Sequence, residues 1–168
     1  MQHYTAHPIA PATLKELRAT DDAGRTPGPF TDTEGGAPLR CCLRRSTPGE
    51  CIALVSYAPL RRWAARTGAD PGAYDEQGPV FIHAEECAGP DGKGLAFTNA
   101  HRTVRRYSAQ GRILGGRLVG GSGGGADAFG PALQNAFDDP AVEFVHVRAV
   151  EYGCFLYEVR RGGPGLSA

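Results

Sequence analysis

No stretch of this chain approaches the roughly 18 consecutive apolar residues that a membrane span requires. The opening residues, MQHYTAHPIAPATLKELRAT, lack a basic start followed by an apolar core. The expected setting is therefore the cytoplasm, where thiols stay reduced. Net charge is missing as well. Lys and Arg total 18 and Asp and Glu total 18, which removes any global attraction to nucleic acid. Lysine is nearly absent, with Lys15 and Lys93 alone, so arginine carries the positive charge. The five cysteines are an odd number, which argues against a disulfide framework. The glycine run GGSGGG at 120–125 lacks both the Lys-Ser/Thr pair of a phosphate loop and the spacing of a dinucleotide fingerprint. It reads as a linker or surface loop, and no cofactor is expected.

Glycine and proline are plentiful, 24 and 13, and predict many turns and few long helices. Leu14 and Leu17, three apart in ATLKELRAT, suit a short helix. Residues 21–38 are a loop by composition. CIALVSYAP, 51–59, is the first clear strand, apolar enough for burial on both faces. A Pro48-Gly49 turn precedes it, and RCCLRR, 40–45, is placed to pair with it as the other arm of a hairpin. LRRWAARTGADPGAYDEQ is polar and turn-rich, anchored by Trp63. GPVFIH, 78–83, is a further strand, and residues 102–120 read as two strands about Ala109-Gln110-Gly111. Phe129, Leu133, Ala136 and Phe137 share one helical face, with Pro131 in the first turn. The last two segments, VEFVHVRAV and CFLYEV, form a hairpin around Glu151-Tyr152-Gly153. The order predicts an α+β fold, a mostly antiparallel sheet with one main helix packed on a face. Residues 1–37 form an N-terminal segment with a short helix and a loop, 38–162 a single domain, and 163–168 a flexible tail.

His83 and Cys87 stand four apart after an apolar strand, a spacing that allows both to hold one zinc ion. Cys42 or Cys41 supplies a third ligand. Neighbours on a strand point to opposite faces, so only one of the two is expected to join. Cys51, Glu86 or a water completes the set. The competing reading makes His83 a pocket residue at a strand end and Cys87 a buried structural thiol. His146 and Cys154 lie on neighbouring arms of the final hairpin, where an imidazole can activate a thiol. Phe144, His146 and Arg148 share a strand face, as do Arg105 and Tyr107, so guanidinium and phenol groups are placed to converge on an anion or carbonyl. The patch at Arg40, Arg44 and Arg45 has no aromatic residues interleaved, and no nucleic-acid partner is expected.

The segments PLRCCLRRSTPGECIALVSYAP, GPVFIH, RRYSAQGRI and DPAVEFVHVRAVEYGCFLYEVRR together resemble the bacterial family called domain of unknown function 1203. The resemblance implies a small bacterial protein and names no reaction. Two departures stand out. Leu39 occupies a place where many relatives carry Cys, which counts against a four-ligand metal site, and Arg148-Ala149 replaces a more polar His-Asn pair near the chain's end. The second implies an altered pocket and suits a specialised, biosynthetic member.

These readings lead to one expectation and one alternative. The expectation is a small enzyme acting on a small metabolite by cofactor-independent acid–base chemistry, as an isomerase, cyclase, lyase or hydrolase. His83, His146, Tyr107 and Cys154 would be catalytic, and Arg105, Arg148 and Tyr57 would bind substrate. A single pocket against the sheet would collect them. A homodimer is allowed. The alternative is a zinc-stabilised or ligand-binding module without catalysis, its metal held by Cys42, His83 and Cys87.

Overall fold

The computed structural model describes residues 3–92, 94–120 and 125–161. Its elements in chain order are α1 (Pro11–Ala19), β1 (Phe30–Asp32), β2 (Glu50–Tyr57), α2 (Pro59–Thr67), β3 (Gly78–His83), β4 (Arg102–Tyr107), β5 (Ile113–Val119), α3 (Phe129–Asp138), β6 (Phe144–Ala149) and β7 (Phe155–Arg160). The fold is α+β, with two antiparallel sheets ordered β1-β2-β3 and β5-β4-β6-β7. Among the described residues no helix is long and apolar enough to cross a membrane. Residues 121–124 of the glycine run and the tail from 163 onward lie outside the described residues.

Cross-strand register sorts the side chains of the larger sheet into two faces. Val104 pairs with Val147, which pairs with Tyr157, and Arg106 pairs with Val145, which pairs with Val159. That face buries its apolar groups against Phe129, Leu133, Ala136 and Phe137 of α3, the stripe read from the sequence. The opposite face carries Arg105, His146 and Glu158 in one cross-strand row. It is covered at one end by α2, whose Leu60 and Trp63 pack on Tyr107 and Phe144.

Three features differ from the sequence reading. The polar segment after β2 forms helix α2, started by Pro59 and stopped by Gly68 in the left-handed conformation. Only Pro59 and Leu60 of that helix are fully buried, so no apolar stripe announces it. The described residues therefore hold three α-helices, the expected short N-terminal one and main one and, in addition, α2. Residues 21–38 contain the short strand β1, and Cys41 and Cys42 sit in a turn instead of a hairpin arm.

The N-terminal segment is part of the packing. Leu14 and Leu17 of α1 are buried with Ile52, Val80 and Ile82, while Tyr4 and Ala6 join the core beneath α3. Asp22 ties α1 to α2. Its carboxylate accepts the Ala58 N–H and pairs with Arg62, which also reaches Glu16 on α1. Asp22 thereby satisfies one of the amide donors left open at the N-terminus of α2.

Candidate metal centre

A tight turn at residues 39–44 builds the site. The Leu39 N–H donates to Arg44 O and the Leu43 N–H to Leu39 O, each at 2.9 Å. Leu43 closes the turn with φ of 57°, a conformation unusual for a branched side chain. The turn docks on β3 through the Arg40 N–H, which donates to Phe81 O at 2.9 Å. In a turn, successive side chains are not forced to opposite faces as on a strand. Both thiols therefore reach the end of β3, which corrects the expectation that one of them would point away.

Cys41, Cys42, His83 and Cys87 bring their ligand atoms within 4.8 Å of one another. Cys41 Sγ lies 3.3 Å and Cys42 Sγ 3.8 Å from His83 Nδ1, and the two sulfurs are 4.0 Å apart. A tetrahedral ion with sulfur at ~2.3 Å and nitrogen at ~2.0 Å sets its ligand atoms about 3.5–3.8 Å apart. The three distances among Cys41, Cys42 and His83 come within about 0.3 Å of that requirement. Cys51 is exposed, and neither it nor Glu86 belongs to the cluster, so Cys41 takes the fourth place.

The groups around the cluster are those a metal-bound histidine needs. His83 presents Nδ1 to the sulfurs and Nε2 to Glu50 Oε1 at 3.2 Å. Arg44 Nη2 also stands 3.3 Å from Nε2. In the tautomer with Nε2–H donating to the carboxylate, the Nδ1 lone pair is free for an ion. Arg44 holds Glu50 with two contacts, at 3.0 and 2.5 Å. The pairing drives the Glu50 carboxyl well below the usual range. The His83 backbone N–H donates to Cys41 Sγ at 3.2 Å, and Arg18 Nε on α1 donates to His83 O at 3.1 Å. The Cys42 thiol is pulled down. The S–H donated by Cys41 is the largest influence; burial opposes it, and the Arg44 N–H and charge assist. Cys41 is pushed up by the same pairing and by burial. The pairing thus favours one thiol as the thiolate, the form that binds metal.

The remaining candidates gather elsewhere. His146 is 1% exposed, and its ring packs among Tyr107, Phe144 and Phe155. Its Nε2 faces Glu158 Oε2 at 3.3 Å, while Nδ1 is buried without a partner. Burial lowers the His146 pKa and so favours the neutral ring, with Nε2 placed to donate to Glu158. Arg105 Nη1 contacts Tyr107 Oη at 3.4 Å, and both Arg105 and Arg148 are taken up by Glu76, at 2.8 and 3.0 Å. Tyr57 packs on Phe155, and burial raises its pKa. Cys154 lies at the hairpin turn, its thiol donating to Tyr152 O at 3.6 Å, whereas the strand partner of His146 is Glu158. His83 and His146, expected to share a single pocket, stand apart. His83 lies with the thiols and His146 inside the larger sheet's aromatic cluster.

Sequence reasoning reached Cys42, His83 and Cys87 through spacing. It missed Glu50 and Arg44, which sit in a turn sequence with no metal signature.

The family model described as a protein of unknown function, DUF1203, matches residues 36–161, and the chain belongs to that family. No curated protein and no solved structure matches the chain.

Proposed function

We propose that this member of the DUF1203 family is a zinc-stabilised ligand-binding domain, with the ion held by Cys41, Cys42, His83 and Cys87. The observation that carries the reading is the meeting of four ligand atoms within 4.8 Å, with the histidine backed by a clamped carboxylate. Three thiolates and an imidazole favour zinc over hard cations such as magnesium or calcium. Four protein ligands fill a tetrahedron and leave no open position, which supports a structural rather than a catalytic ion. The ion would cross-link the 39–44 turn to β3 and the bend after it. Its binding free energy would then become folding free energy. A cytoplasmic setting, which keeps thiols reduced, suits three unbridged cysteines.

The binding reading is preferred to acid–base catalysis by the burial of His146. A general acid or base must reach a substrate proton. His146 is sealed among three aromatic rings.

Metal analysis of protein purified under reducing conditions tests the proposal. One zinc per chain is expected, and cobalt substitution should give the visible bands of a tetrahedral thiolate site. Cys42→Ser and Cys87→Ser should each lose stoichiometric zinc. A wild-type protein that retains no zinc after reconstitution, and gives no thiolate bands with cobalt, would overturn the reading.

A further inference from the structure

We propose that the hollow of about 780 Å³ between the two sheets binds a small molecule that joins an oxyanion head, carboxylate or phosphate, to an apolar body. This deepens the binding reading and does not depend on the metal. Three arginines line the hollow: Arg40, Arg45 and Arg102. Arg40 is 3% and Arg102 4% exposed. Arg40 donates to the Phe155 and Pro38 carbonyls, and Arg102 to the Phe97 and His101 carbonyls. Among the described residues neither guanidinium meets a carboxylate within ion-pair distance. A buried cation without a counter-charge is costly, and such groups are normally paired.

The Arg45 charge also acts against the two buried ones. Burial lowers the Arg40 pKa to about 10 and lowers that of Arg102 as well, and the Arg45 charge pushes both further down. The carboxylates on the rim relieve this only in part, Glu151 favouring the Arg102 charge from a distance. Asp32 accepts the Ser46 hydroxyl and the Gly35 N–H, while Glu151 is exposed and makes no ion pair. An anion seated among the arginines would supply the missing charge, and guanidinium matches carboxylate and phosphate geometry.

The rest of the wall is apolar. Ile52, Phe81 and Leu156 line it, together with Phe30, Leu54 and Tyr152. The last three are 43%, 49% and 85% exposed, so three of the chain's exposed large apolar side chains surround one hollow. Apolar exposure concentrated in this way marks a binding surface. The size and mixed lining suit a small amphiphilic acid.

Calorimetric titration with octanoate, octyl phosphate, octanol and inorganic phosphate tests the proposal, with zinc content measured in the same samples. Octanoate or octyl phosphate should bind at least tenfold more tightly than octanol and inorganic phosphate. Arg40→Met should weaken that binding at least tenfold. Because Arg40 also supports the fold, two variants at exposed positions accompany it. Arg45→Ala should weaken binding about fivefold while leaving the weak octanol binding within twofold, and Leu54→Glu should weaken binding at least tenfold. Failure of both amphiphiles to bind the folded wild type at millimolar concentration would overturn the proposal. So would octanol binding as tightly as octanoate, or indifference to both surface variants. Zinc-loaded protein that binds neither amphiphile would sink this inference and leave the metal reading intact.

Discussion

Glu50 sets the orientation of His83: its Oε1 lies 3.2 Å from Nε2, on the far side of the ring from the thiols. With Arg44 gripping the carboxylate, the ring cannot turn without breaking a charged contact. Glu50→Ala should weaken zinc binding about tenfold to a hundredfold. Glu50→Gln keeps an acceptor for Nε2–H and should lose less. Competition against a chromophoric chelator measures both. Unchanged affinity in Glu50→Ala would show that the carboxylate plays no part in holding the ring.

Much of the frame is legible in the residues. Phe129, Leu133, Ala136 and Phe137 announce α3, and the strands at 50–57, 78–83 and 144–149 follow from their apolar runs. Helix α2 is harder to read, because Arg61, Arg62 and Arg66 mask a helix with few buried contacts. In the metal centre, spacing reveals His83 and Cys87. The joint arrival of Cys41 and Cys42 depends on the left-handed Leu43, a backbone choice that propensity does not announce. Nothing local predicts that Arg40 and Arg102 are buried while Arg45 is exposed. That outcome depends on how the two sheets meet.

Removing the imidazole inside the larger sheet should be costly. His146→Ala would empty a space bounded by Tyr107, Phe144 and Phe155 and take away a hydrogen bond to a half-buried carboxylate. The expected loss is about 3–5 kcal/mol. Urea denaturation of zinc-loaded samples measures it. A loss below about 1 kcal/mol would contradict the packing.

Acid sensitivity should trace in part to Asp21. Its carboxylate accepts N–H groups from Ala23, Arg25 and Ser56 at 3.0, 2.9 and 3.0 Å. Burial opposes the charge, yet those donors hold the pKa below its ordinary value. A depressed carboxyl contributes fully above its unfolded pKa of about 3.9 and loses that contribution as pH falls through the folded value. Asp21→Asn should therefore cost about 1–3 kcal/mol near neutrality. The gap from wild type should narrow below about pH 4. Thermal melts across that range provide the check, and a gap that widens in acid would reverse the assignment.

Gly120 follows β5 with φ of +88°, and a Cβ there would stand 2.8 Å from the Ala100 carbonyl oxygen. The obstacle is backbone, which cannot swing aside like a side-chain end. Gly120→Ala should destabilise the fold by about 1–3 kcal/mol through strain and crowding together. Gly24 also has a positive φ, +77°, but no atom lies within 4 Å of its would-be Cβ. Gly24→Ala should cost less, and equal losses would remove the crowding argument.

Arg40 and Cys41 are consecutive residues with different destinations, one side chain in the inter-sheet hollow and the other in the thiol cluster. A single peptide unit thus connects two places where outside chemistry would act. If occupation of either shifts the turn, thermodynamic reciprocity makes the effect mutual: an acid that tightens the grip on zinc is itself held tighter by the same factor when zinc is bound.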